Sequence, residues 1–319
     1  MKKIFAILSI LLISTSPSSF AQQQDEATQN TGIQTPIKPA RTAQNSAMEF
    51  DPTNKESFEK ELVRLADSMR SAIIPEERFD YCVEFVGKLN QFLKQPNSYD
   101  YPFEQLKTMI NIINPEDKSF KIFNWLVNVG NNKIRYYGAL QMPDSQLKLY
   151  PFFDISDKAD DQVTRTTLTP KSWFGGEIYN LLPQKAPDGQ PYYLVFSRNN
   201  TLENSTRKIV DVLTFNNGQP SFGLPIFKAG EGDQKRFIIE YQKGAQVSLN
   251  FDKEKNAITF DRLESNVNQP TRKHTLVPAG QTDGLRYANG YWVFQKDIIP
   301  IIQLGDGNAP VKGVLPGGK

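Results

Sequence analysis

The apolar positions of this chain change period once, near residue 115. Before it they recur at helical spacing. Phe58, Leu62, Leu65 and Met69 form one stripe after a Thr53 or Asn54 cap. Pro75 ends that helix and opens a second, in which Phe79, Val83, Val86 and Phe92 or Leu93 share a face before Gln95-Pro96-Asn97. A third, shorter helix is expected from about Pro102, carrying Phe103, Leu106, Ile110 and Ile113 and stopping at Asn114-Pro115. Each helix has a single apolar stripe, so each must pack on another helix or on the segment that follows.

After Pro115 the period drops to two. Residues 121–129 read as a strand, Gly130-Asn131-Asn132 as a turn, and Ile134, Tyr136, Gly138 and Leu140 as the returning alternation. Further strands are expected at 146–152, 177–182, 192–196, 208–215, 236–241, 247–251, 257–262 and 291–295. Asp188-Gly189, Asn217-Gly218, Lys255-Asn256 and Asn289-Gly290 separate several of them. Asn-Gly between apolar runs is a strong hairpin signal because both residues tolerate positive φ. Few connections are long enough for a crossover helix, so the pairing should be mainly antiparallel. The expected class is α+β: a three-helix segment at 51–115, then a large mainly antiparallel β region at 116–304. Sandwich, barrel and open sheet all satisfy the pattern.

The two ends read differently. Lys2-Lys3, the apolar stretch Ile4 to Ile13 and the small residues up to Ala21 have the layout of a cleavable signal peptide, 1–21. An apolar stretch of about ten residues is shorter than the roughly 20 needed to span a bilayer, so no transmembrane segment is expected in the mature chain. No cysteine follows it, which argues against lipoprotein processing. Residues 22–50, rich in Gln, Thr, Asn, Ala and Pro, read as a disordered leader, and the Gly/Pro-rich 305–319 as a flexible tail. That tail denies a terminal strand ladder of the kind a surface-sorting domain would need, so the expected location is the periplasm rather than the cell surface.

Charge adds little. Of 37 basic residues two, Lys2 and Lys3, lie in the signal segment, leaving 35 against 35 acidic ones. A balanced chain has no long-range field to gather nucleic acid, and no nucleic-acid partner is expected. The short basic clusters Arg207-Lys208, Lys235-Arg236 and Arg272-Lys273-His274 read as solvated strand ends.

The residues suited to chemistry are few. The one cysteine, Cys82, rules out an intramolecular disulfide and reads as a buried structural thiol on the second helix. The one histidine, His274, excludes a zinc site built from several His and Cys ligands, and it reads as a surface strand residue. No Gly-x-Ser-x-Gly elbow or phosphate-binding glycine loop occurs, and Gly230-Glu231-Gly232-Asp233 reads as a hairpin tip. The best metal candidate is the cluster Asp154, Asp157, Asp160 and Asp161, but it lacks the alternation and glycine of an EF-hand loop, and a solvated turn is expected. No cofactor, metal or catalytic residue is assigned. Trp125, Trp173, Phe174, Tyr192, Tyr193 and Trp292 would suit sugar stacking, and suit a sheet core better.

From Leu147-Lys148-Leu149-Tyr150-Pro151-Phe152 onward the order of motifs becomes specific. It continues through Ser172-Trp173-Phe174-Gly175-Gly176, Tyr192-Tyr193-Leu194-Val195-Phe196 and Arg207-Lys208-Ile209-Val210-Asp211. Phe222-Gly223-Leu224-Pro225, Arg236-Phe237-Ile238-Ile239-Glu240-Tyr241, Ile258-Thr259-Phe260-Asp261-Arg262 and Asn289-Gly290-Tyr291-Trp292-Val293 complete it. This succession resembles a family of uncharacterised secreted β-rich envelope proteins of the Bacteroidota, over about residues 120–299. It departs from the family at Leu194-Val195-Phe196-Ser197-Arg198, where a Leu-Leu-Gly-Trp-like run is expected. The resemblance implies secretion and a β-rich body, and lends no site residues. The expected function is that of a non-enzymatic envelope component that binds or scaffolds, with an envelope protein as partner. The alternative is a glycan hydrolase using a carboxylate pair.

Overall fold

The computed structural model describes residues 50–299 apart from Asn132 and Glu231. The signal peptide, most of the leader and the tail expected from sequence lie outside the described residues. Strands dominate, arranged as three open sheets that stack one on the next behind a helical pair.

The front is α1 (Lys55–Ser71) and α2 (Pro75–Leu93). The Asn54 side chain caps α1 by accepting from the amides of Glu56 and Ser57, and Pro75 sits in the first turn of α2. The stripe of α1 is buried as expected, with Ala66 added. On α2 the buried face is Cys82, Phe85, Leu89 and Phe92, while Phe79, Val83 and Val86 are only half-buried. The rotation follows the contact surface: Phe85 meets Trp125 edge-on at 5.2 Å, and Trp125 Nε1 donates to Cys82 Sγ at 3.5 Å.

The third helix does not form. Residues 106–108 make one 3₁₀ turn, and Asn111–Ile113 is the short strand β1. Two buried side chains, Glu59 and Lys121, hold the backbone on either side of Phe103 in a non-helical path. The Glu59 carboxylate accepts from the amides of Gln105 and Leu106, and from Tyr101 Oη. Lys121 Nζ donates to the carbonyls of Tyr99 and Tyr101. Phe103 adopts φ 51°, outside any helix. Burial lowers the Lys121 ammonium to about 8.

The first sheet continues with β2 (Lys121–Asn128), β3 (Ile134–Gln141) and β4 (Leu149–Phe153), in the order β1-β2-β3-β4. Phe123, Trp125 and Val127 face the helices, and Ile122 faces the other way with Tyr136, Leu140 and Phe152. The middle sheet is built from β5 (Glu177–Lys185), β6 (Pro191–Asn199), β7 (Ser205–Asn216), β8 (Gln219–Phe222) and β10 (Phe237–Gln242), with β9 (Phe227–Lys228) between them in the chain. Its two faces belong to two cores. Ile178, Tyr193, Val195, Ile209 and Leu213 pack on the first sheet. Leu194, Phe196, Val210 and Val212 pack on Leu249, Ile258, Phe260, Leu285 and Trp292 of the third. Burial on both faces is why β6 and β7 read as near-continuous apolar runs.

The third sheet has the order β11-β12-β13-β14-β9, where β11 is Leu249–Asp252, β12 Ala257–Ser265, β13 Leu276–Ala288 and β14 Tyr291–Ile299. All neighbours pair antiparallel except β14 and β9. The Asn-Gly turns form as expected, with Asn217, Gly218, Asn289 and Gly290 all at positive φ. The sequence hides β13, because Pro278, Gly280 and Gly284 interrupt its apolar pattern. Gly284 is required there: a Cβ would lie 2.6 Å from Ile298 Cδ1 and 2.9 Å from the Ile258 carbonyl. Arg262 stands at the bulge of β12 and bonds Asp283 of β13 and Asp297 of β14, tying three strands together.

One polar pair sits inside the stack. Arg236 is fully buried, and its Nε donates to Asp211 Oδ2 at 3.0 Å. Its remaining donors reach the carbonyls of Val163, Thr166 and Phe222. The pair therefore fastens the connection between the first and middle sheets to β7. Arg236→Met is expected to cost about 3–5 kcal/mol in urea unfolding, because the buried Asp211 loses its counter-charge and keeps only the Val212 amide. Adding Asp211→Leu should recover part of that loss; a single variant as stable as the wild type would show that the pair contributes nothing.

The Cys82 thiol is 2% exposed, and burial pushes it up to about 12. A thiol reagent at neutral pH should leave it unmodified in the folded protein and label it stoichiometrically in urea. Rapid native labelling would contradict this burial.

Candidate functional site

The acidic cluster disperses. Asp154 is not in a solvated turn: its carboxylate is largely buried and accepts from the amides of Tyr136, Ser156 and Gly175 at 3.2, 2.8 and 3.1 Å. Burial raises this carboxyl against the opposing pull of those bonds. Gly175 is required beside it, since a Cβ would lie 2.3 Å from the carboxylate. Asp157 pairs with Arg135 at 2.7 Å, and Asp160 caps the short turn 161–165 through Gln162 N. Asp160 and Asp161 both line one cavity. Among the described residues no group of three His, Cys, Asp or Glu side chains could hold a metal ion. His274 is exposed in a 3₁₀ turn, Lys273–Thr275, rather than on a strand.

The aromatic residues singled out from sequence are all buried and fill the three cores. The aromatics that face open space are others. At the end of the middle sheet, between Ile134 and the segment 243–247, a groove of about 590 Å³ opens, within the roughly 300–1,000 Å³ of small-molecule sites. Its floor is the end of the middle sheet. Glu177 of β5, Arg198 of β6 and Lys208 of β7 stand opposite one another in register, so their side chains share one face. Tyr179 and Tyr241 line the groove, and Lys243 to Val247 close one side.

The charges are unevenly matched. Glu177 Oε2 and Arg198 Nη2 are 3.0 Å apart. Lys208 makes no ion pair or hydrogen bond among the described residues; its Nζ sits 5.3 Å from the centroid of the Tyr179 ring. Burial and then the neighbouring Arg198 lower its ammonium, against the opposing pull of Asp261, whose carboxylate accepts from the Ser248 amide at 2.7 Å. Lys243 adds a third cation and is tied to the Leu202 carbonyl at 2.9 Å. Tyr179 is 39% exposed, yet its hydroxyl donates to the Leu249 carbonyl at 2.7 Å, which fixes the ring. Asn200 Oδ1 accepts from Thr206 Oγ1 at 2.9 Å, leaving the Nδ2 group as a donor at the rim.

A second cavity, of about 260 Å³, does gather acidic groups: Asp160, Asp161 and Glu240. Glu240 is occupied by Ser205 Oγ at 2.7 Å and Arg207 Nε at 2.9 Å. A third, of about 310 Å³, lies between the end of α1 and β2 and is lined by Arg70, Lys107, Met109 and Trp125. The groove on the middle sheet is larger than both and alone combines an accessible fixed ring with an unmatched cation.

Sequence reasoning missed Glu177, Tyr179, Arg198, Lys208 and Tyr241. The only available signal was that polar residues cap the apolar runs of β5, β6 and β7 at the same end of the sheet. Among the described residues no helix is long and apolar enough to cross a membrane. Compared with known proteins, the chain matches no family model, no curated protein and no solved structure.

Proposed function

We propose that this protein is a non-enzymatic binding component of the bacterial envelope, exported to the periplasm, and that the groove on its middle sheet is its working surface. The observation that carries the reading is the row Glu177–Arg198–Lys208 beside the fixed ring of Tyr179. Groups held on strands buried from both faces keep their positions, so a ligand meets a site whose ordering cost is already met. The one carboxylate in the groove is ion-paired with Arg198, which leaves no second carboxylate to act as acid or base with it. That favours binding over the glycan-hydrolase reading.

Most of the sheet edges are poorly suited to strand addition. Four of the six outer strands, β1, β4, β9 and β11, have three, five, two and four residues, and only β5 and β10 present longer edges, of nine and six. The edge of β14 is broken at Asp297, which adopts φ 52°. Short or interrupted edges offer a partner strand little to pair with.

The test compares the full chain with Gln246→Trp, a change on the exposed loop at the mouth of the groove. After incubation with a small-molecule envelope extract, native mass spectrometry should find added mass on the wild type and lose it on the variant at unchanged thermal midpoint. The bound compound should be recovered chemically intact after prolonged incubation. Equal adducts on both proteins, or none on the wild type, would overturn the groove as working surface; conversion of the compound would overturn the non-enzymatic reading.

A further inference from the structure

The groove carries more positive charge than its own residues neutralise. Arg198 and Lys208 are direct cross-strand partners on one face, and like charges so placed repel. Glu177 offsets Arg198 from the β5 side, but nothing among the described residues pairs with Lys208, which is half-buried and partly stripped of water. Lys243 adds further positive charge at the rim. A buried or half-buried cation without a counter-charge is costly, and an anion set between Lys208 and Arg198 removes both the repulsion and the desolvation penalty.

The surroundings narrow the rest of the ligand. A fixed, accessible tyrosine ring offers its face to the C–H groups of a saccharide with no loss of ring freedom. The rim supplies the Asn200 Nδ2 group and Gln246, groups that bond hydroxyls. Resting on the binding role proposed above, we infer that the groove takes an anionic saccharide, its carboxylate or phosphate seated between Arg198 and Lys208 and one sugar ring against Tyr179.

Isothermal titration of the full chain tests this with four probes: trigalacturonate, glucose 6-phosphate, the neutral maltotriose and adenosine monophosphate. An acidic sugar should bind and maltotriose should not, with affinity falling as salt rises. Whichever of trigalacturonate and glucose 6-phosphate binds more tightly says whether the anion is a carboxylate or a phosphate. Lys208→Gln should weaken that binding about tenfold, and Lys243→Ser, on the exposed turn, several-fold without touching the strands. Circular dichroism and the thermal midpoint establish that each variant is folded. Maltotriose binding as tightly as the acidic sugars, or affinity unmoved in both lysine variants, overturns the anionic assignment. Preference for adenosine monophosphate overturns the saccharide. If no probe binds while an envelope-derived adduct is still lost in Gln246→Trp, this inference fails and the binding role stands.

Discussion

The middle sheet is buried on both faces, and this constraint shapes everything packed around it. A sheet covered by two others cannot leave a polar side chain or a backbone group without a partner, since no water reaches it. Its one acidic residue in the apolar run of β7, Asp211, is answered by Arg236, which is itself fully buried. The same guanidinium accepts no alternative arrangement: its other donors are held by three carbonyls from the segments that enter and leave the sheet. One arginine thus fixes how the first and middle sheets connect. Charged pairs of this kind define a unique packing more than they add net stability.

The consequence for function lies at the sheet's end. Apolar runs stop there, and polar residues re-emerge on the same face, already in register. Arg198 and Lys208 owe their alignment to the ladder that pairs Val195 with Asp211 further along, and Glu177 joins their face through the register shift between Ile178 and Asn180. The groove's floor is therefore a by-product of the core's rigidity, with the charges of Glu177, Arg198 and Lys208 placed by strand pairing.

Much of the fold was legible in the sequence where one interaction decided the outcome. The stripe of α1, the strands β2, β6 and β7 and the Asn-Gly turns each answer to local pattern alone. Failures arose where a distant residue took over. The expected third helix gives way to a backbone that Glu59 and Lys121, both distant in the chain, hold on either side of Phe103 at positive φ. Strand β13 looked broken because Gly284 must admit Ile298, a contact only the folded sheet reveals. The groove was illegible for a related reason. Conspicuous aromatics such as Trp125 and Trp292 went to the cores, whereas Arg198 and Lys208 matter only through their cross-strand pairing, which composition does not encode.

The central claim is that the middle sheet is enclosed by its two neighbours and keyed to them. Native-state amide exchange tests it directly, because protection reports which segments open only when the whole molecule unfolds. The amides of Leu194, Val195, Phe196, Val210 and Val212 should be the slowest to exchange, more protected than those of β3 in the first sheet or β12 in the third. Exchange in β6 and β7 as fast as in those outer sheets would contradict the account.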